Sequence, residues 1–325
     1  MMLEFRELQP RAAVHGWILY DSHDSGLNMH YIDLYRRACE KYRLSAALGL
    51  CGTGRHRKQP GPCDARGVVF DTSGSGHRKQ LQAEKLAAGE APDFVINRTR
   101  DYRIAQLFEK MGIPVFNASA VARLGNDKLQ AYRYMQEKQI PVMPFVCGTR
   151  HAPPWYPAVI KSCSGHGGTQ VYLVTDSREW ESWNREHAKD RDAYLMQKAA
   201  SRAGRDVRVY IVGNQITAAV LRSSDTDFRS NYCLGGKVSL YELDSGEREL
   251  VLRAAQGLDI GMVGMDFIFH NGELVFNEIE DTAGARALYH LTDYDIVDDY
   301  VRHIRRKLES RGLFTKPDAY GTIKP

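Results

Sequence analysis

The chain has 325 residues, 43% of them apolar and 26% charged, with a formal net charge of +4 at pH 7. That length suits two or three domains with a real core in each, and so mild a charge excludes nucleic acid as a partner demanded by electrostatics. No apolar run reaches the length of a membrane span, and the charged start (Glu4, Arg6, Glu7) is no secretory signal, so a cytoplasmic protein without membrane contact is expected. Six cysteines (Cys39, Cys51, Cys63, Cys147, Cys163, Cys233) form no close pair and no metal-ligand spacing, which points to reduced thiols.

Trp17-Ile18-Leu19-Tyr20 reads as a buried strand that ends at the polar turn 21–26. Apolar residues then recur at helical spacing through Tyr31, Leu34, Tyr35 and Ala38, and a second strand follows at 44–50. Strand, helix, strand in that order opens a parallel α/β layer. Two basic runs, Arg55-His56-Arg57-Lys58 and His77-Arg78-Lys79, flank a Gly/Ser/Pro-rich span. They read as a solvated loop, with an anionic-substrate contact as the sharper alternative. Phe94–Asn97 is a further strand, 103–110 a helix stopped by Gly112, and 113–116 one more strand. Residues 12–118 are therefore predicted to form a small Rossmann-like domain, and the missing Gly-rich fingerprint argues against a dinucleotide there.

A helix over 127–137 leads to a strand at 158–161 that ends on Lys161. Ser164-Gly165-His166-Gly167-Gly168 follows, then a strand at 170–174. A glycine-rich loop between two strands lets backbone amides approach phosphate oxygens, and a flexible hairpin tip is the alternative. Residues 207–212 and 215–221 form a hairpin across Gly213-Asn214, and 294–311 read as an amphipathic helix.

The stretch from Gly264 to Glu280 is two apolar strands joined at Asn271-Gly272, with Asp266, Glu278 and Glu280 set inside the hydrophobic runs. Burying a carboxylate costs several kcal/mol unless something neutralises it. A hard divalent cation, Mg²⁺ or Mn²⁺, is one neutraliser, and a hairpin with salt-bridged acids is the alternative. Glu278 and Glu280 share a face. Asp266 joins that face only through a three-residue turn, His270-Asn271-Gly272, with Gly272 left-handed as a bulge residue. A two-residue turn would place it on the opposite face.

Asn97-Arg98, Asn117, Asn126-Asp127-Lys128, Lys161 with Gly165, Gly167 and Gly168, Gly204-Arg205-Asp206-Val207-Arg208, Phe228-Arg229-Ser230-Asn231, and Asp266, Glu278 and Glu280 follow in register. This order resembles the ATP-grasp superfamily, most closely its RimK-like branch of amino-acid ligases, over about residues 94–305. The resemblance implies an α/β (α+β ATP-grasp) fold. A Rossmann-like preATP-grasp domain (12–118) would precede a small lid subdomain (119–193) and a C-terminal subdomain with the metal site (194–311), with 312–325 as a tail. It implies a ligase that uses ATP to activate a small-molecule or peptide carboxylate as an acyl phosphate, for displacement by an amine. An ATP-grasp kinase, another ATP-dependent ligase and a non-catalytic nucleotide-binding protein stay open, as does a homo-oligomeric state.

By the same resemblance, Lys128 and Lys161 would meet the α- and β-phosphates, while Ser164, Gly165, Gly167 and Gly168 would fold over them. Gln197, Lys198 and Ala199 would form the adenine hinge. Asp206 would accept from a ribose hydroxyl or orient Arg208, with a surface acid as the alternative. Arg229, Ser230 and Asn231 would stand at the transferring phosphoryl, with Lys161, Arg229 and Asn231 as the catalytic set. Asp266, Glu278 and Glu280 would bind two Mg²⁺ (or Mn²⁺) ions, although the family usually presents Asn where Glu280 stands. Arg222 reads either as a substrate contact or as a surface ion-pair partner of Asp225 and Asp227, the latter favoured. Arg286 would lie at the substrate end, with a structural cation capping the loop as the equal alternative.

Overall fold

The computed structural model describes residues 14–52, 68–71, 91–165, 167–168, 170–230 and 235–314, which fall into two compact units. Asn231 and the basic runs 55–58 and 77–79 lie outside the described residues.

The first unit takes residues up to Thr99, residues 107–116 and the stretch from Val297 onward. Its sheet contains β1 (Val14–Asp21), β2 (Leu44–Gly52), β3 (Val68–Asp71), β4 (Phe94–Asn97) and β5 (Val115–Phe116), in the order β3-β2-β1-β4-β5. Every pairing is parallel, as the strand–helix–strand order predicts. Trp17 to Tyr20 are buried without alternation, as strands covered on both faces require. The helix Met29–Lys41 buries Tyr31, Ile32, Tyr35 and Ala38, and the Tyr35 ring meets Tyr300 of the C-terminal helix Ile296–Ser310 edge-on at 6.0 Å. Lys41 and Tyr42 both donate to Asp298, tying that helix to the C-terminal end of the helix Met29–Lys41.

The second unit takes residues 100–106 and 117–296 and holds two antiparallel sheets. The four-stranded one contains β6 (Phe145–Cys147), β7 (Ala158–Ser162), β8 (Val171–Val174) and β9 (Tyr194–Lys198), in the order β6-β9-β7-β8. The five-stranded one contains β10 (Arg205–Val212), β11 (Gln215–Ser223), β12 (Lys237–Leu240), β13 (Met262–His270) and β14 (Glu273–Glu280), in the order β12-β11-β10-β13-β14. Val207, Val209, Ile211, Val263, Met265, Phe267, Phe276 and Ile279 turn one face of that sheet into the core, packed with Ala131, Tyr132 and Met135 of the helix Lys128–Glu137. Asn117 pins this unit from within. Its amide donates to the carbonyls of Met262 and Asp281, and its oxygen accepts from the Gly261 and Met262 amides.

The turn of the last hairpin differs from the expectation. Asn271 (φ 53°) and Gly272 (φ 95°) both take positive φ, and His270 pairs with Glu273, so the turn has two residues. Asn-Gly fills both left-handed positions with little strain, and the twist of such a turn matches the strands. The register shifts further along: Phe267 pairs with Phe276 but Asp266 pairs with Glu278, leaving Asn277 as the extra residue of a β-bulge. That bulge, and not the turn, returns Asp266 to the face of Glu278.

Candidate functional site

Strand pairing builds the floor of a cleft in the second unit. Asp206 lies opposite Arg222, Arg208 opposite Asp266, Asp266 opposite Glu278, Tyr210 opposite Gly264, and Gly264 opposite Glu280. Directly paired residues share a face, so all of these stand on the side away from the core. The cleft is closed from above by Lys128, Lys161, Gly165, Gly167 and Gly168, with Gln197 and Ala199 along the wall and Arg229 and Ser230 at the rim. Ser164 and Lys198 are exposed and do not line it. The Lys198 and Ala199 amides are already donated to the Pro144 and Pro157 carbonyls.

On the floor the charges form one continuous network. Arg208 grips both Asp266 oxygens at 2.8 Å through Nε and Nη2. Arg222 holds both Asp206 oxygens at 2.6 Å and reaches Asp266 Oδ2 at 2.7 Å. The favoured placement of Arg222 at the surface is thus corrected: it is 5% exposed, because its antiparallel pairing with Asp206 turns it into the cleft. Asp206 orients Arg222 and not Arg208. Burial would push Asp266 up, but the two guanidinium groups outweigh it and hold this carboxyl well below the usual carboxylate range. Arg208 Nη1 also stands 2.6 Å from Glu280 Oε2, a Coulombic contact without the alignment of a hydrogen bond.

The upper wall is cationic for local reasons. Asp127 caps the helix Lys128–Glu137 by accepting from the Gln130 amide, which sets Lys128 as its first residue, while Asn126 is anchored on Asp281. Lys128 Nζ then meets Glu278 at 2.8 Å and the Gly165 carbonyl at 2.5 Å. Arg229 is locked by Asp227 and donates to the Gly168 carbonyl at 2.8 Å. The glycine-rich loop is therefore held by a cation at each end. Lys161 is 6% exposed and donates to Asn277 Oδ1, Gln197 Oε1 and the Tyr132 hydroxyl at 2.6, 2.8 and 3.1 Å. Burial brings its pKa down to about 7.

Sequence reasoning placed Lys128, Lys161, Gly165, Gly167, Gly168, Gln197, Ala199, Asp206, Arg229, Ser230, Asp266, Glu278 and Glu280 at one site, and all line this cleft. It missed Asn277, Tyr132 and Tyr210. The signal for Asn277 was present: Asn277-Glu278 sets two polar residues side by side where a strand should alternate, which is how a bulge reads in sequence. Among the described residues no three acidic, histidine or cysteine side chains converge as a ready metal cage. Asp266 is occupied by guanidinium groups, whereas Glu278 and Glu280 keep 27% and 34% of their side chains exposed to the cleft. Magnesium is commonly held by one or two carboxylates together with substrate phosphates, and the half-exposed pair suits that arrangement.

The family model of the RimK-like ATP-grasp domain matches residues 151–304. That stretch, just under half of the chain, is thus similar to RimK-like ATP-grasp domains. An uncharacterized protein of Mycoplasma genitalium is 26% identical over 71% of this chain and 84% of its own length. A probable α-L-glutamate ligase of Shewanella denitrificans is 27% identical over 66% of this chain and 74% of its own. Among solved structures, the D-alanine–D-alanine ligase of Bacillus anthracis superposes with a TM-score of 0.65 at 13% identity, covering 93% of this chain and all of that one. A RimK-domain ATP-grasp protein of Sphaerobacter thermophilus gives 0.59 at 18% identity over 89% and 98%. The α/β ATP-grasp fold expected from the sequence is the fold observed. Among the described residues no helix is long and apolar enough to cross a membrane.

Proposed function

We propose that the chain is an ATP-dependent carboxylate–amine ligase working in the cleft of its second unit. The observation that carries this reading is the opposition, across one cleft, of Lys128, Lys161 and Arg229 to the half-exposed Glu278 and Glu280, beneath a glycine-rich loop. Lys128 and Lys161 supply point charges for the nucleotide phosphates, and the Gly165–Gly168 loop covers them and excludes water from a hydrolysable intermediate. Arg229, fixed by Asp227, presents a planar donor to the charge that spreads over the transferring phosphoryl. Asn231 belongs to the same proposal on sequence grounds.

A carboxylate oxygen of the first substrate attacks the γ-phosphorus and the bond to the β–γ bridging oxygen breaks, so ADP leaves. The amine then attacks the acyl carbon, phosphate departs, and the amine nitrogen loses a proton. Glu278 and Glu280 would hold Mg²⁺ or Mn²⁺ with the phosphates, and Asp266 would join them on giving up Arg208. The bound metal would supply charge neutralisation for the phosphate oxygens. The four-stranded sheet is proposed as the lid over the five-stranded one. Relatives named as α-L-glutamate ligases support an amino acid as one of two small substrates.

The test is a screen of amino acids and short peptides for acceptor-dependent release of ADP and phosphate, with hydroxylamine added to trap the activated carboxylate as a hydroxamate. AMP and pyrophosphate as products, or ADP release that needs only an alcohol, would refute it.

A further inference from the structure

Asn277 sits where the β14 strand breaks its alternation. The bulge places it beside Glu278, so two successive side chains reach the cleft instead of one. Its amide makes a single side-chain hydrogen bond among the described residues, 2.6 Å from its Oδ1 to the Lys161 ammonium. An asparagine kept only for the bent backbone would spend its side chain on neighbouring main-chain groups; this one reaches across to β7.

Lys161 needs that bond. Its ammonium is buried, and the three oxygens it meets belong to neutral groups: Asn277, Gln197 and Tyr132. The Tyr132 hydroxyl itself donates to Gln197 Oε1 at 2.5 Å, so that oxygen is turned firmly toward the cage. An ammonium has three protons, and these three acceptors fix its position on the cleft wall. Neutral acceptors hold the cation without cancelling it, which leaves its charge available to an anion in the cleft. A carboxylate in the same place would pair with it outright.

We propose that Asn277, with Gln197 as its partner, is a positioning residue that holds the Lys161 ammonium in place for the phosphate of a bound nucleotide. This rests on the nucleotide-binding reading given above. Gln197 then serves the phosphate end of the site through its side chain, in addition to any contact its backbone makes.

Calorimetric titration of the full chain with ADP, and with adenosine as the phosphate-free control, tests this. Asn277→Leu removes the acceptor at similar volume and should weaken ADP about tenfold while leaving adenosine unchanged, since a hydrogen bond to a charged group is lost. In a Lys161→Met background the same substitution should have no further effect on ADP, because Asn277 would act only through that lysine. Asn277→Ser, whose shorter hydroxyl falls short of Lys161, gives the same expectation if the leucine variant fails to fold. Equal losses for ADP and adenosine, additive losses in the Lys161→Met background, or unchanged ADP affinity would each overturn the assignment while leaving nucleotide binding intact. A wild-type chain that binds neither ligand would overturn the nucleotide reading and this inference with it.

Discussion

Replacing Arg222 by Met tests the charge network under the cleft. The guanidinium is 5% exposed and makes three bonds of 2.6–2.7 Å to Asp206 and Asp266, which are themselves 5% and 4% exposed. Asp266 retains Arg208, but the hydrogen bonds to both Asp206 oxygens are removed. Breaking a buried pair by deleting one partner costs about 3–5 kcal/mol, because a charge stays behind in a poor solvent. For a unit of this size each kcal/mol moves the melting temperature by about 2–4 °C, so a fall of roughly 6–20 °C is expected by scanning calorimetry. A second readout follows from Asp266. Its depressed pKa contributes stability above the ordinary carboxylate value, lost as the pH falls below about 4. With one of its two guanidinium partners gone, that acid-dependent loss should shrink. Arg222→Lys, which keeps the charge but not the planar fork, should fall between the two. A melting temperature for Arg222→Met within about 2 °C of wild type, with an unchanged acid limb, would refute the network as a buried and coupled one.

If Arg229 acts as proposed, on charge that develops only in transit, Arg229→Ala should lower kcat on the order of a hundredfold while ATP affinity changes much less; equal losses in both would make it a binding residue. ATP affinity should fall as the pH rises through about 7, where Lys161 loses its proton, and Lys161→Arg should flatten the profile. Glu278, Asp266 and Asp206 favour that proton and Lys128 opposes it. The same lowered value makes stability rise between about 7 and the ordinary lysine value, because the unfolded chain still binds the proton there. A flat binding profile for wild type would remove Lys161 from the phosphate site. Gly204→Ala should destabilise by more than about 2 kcal/mol and impair catalysis together, measured by urea unfolding and turnover. Gly204 has φ +67°, and an added Cβ would stand 2.7 Å from the Ser224 carbonyl and 2.8 Å from that of Asp227, in the loop that fixes Arg229.

Local rules were enough for much of this molecule. Apolar runs marked β1 as a buried strand and β4 as a further strand, helical spacing marked Tyr31, Tyr35 and Ala38, and the helix expected over 127–137 forms at Lys128–Glu137 with Asp127 as its cap. The resemblance to ATP-grasp ligases, carried by residue type and order, also placed the lysines, the glycine loop and the carboxylates at one site. Tertiary structure decided the rest. Whether Asp266 faces Glu278 turned on one extra residue at Asn277; with the two-residue Asn-Gly turn and no bulge, Glu278 would have paired with Met265 on the core side. Arg222 looked like a surface cation beside two acids. Its burial comes from pairing with Asp206, whose face is set by the hydrophobic alternation of β10 packing on a core built from distant segments. The acceptors of Lys161 lie 29, 36 and 116 residues away along the chain. Separations of that size leave no trace in local periodicity, since the pairing of β7 with β9, the packing of the helix Lys128–Glu137 and the approach of β14 from the other sheet together bring those atoms within hydrogen-bond reach.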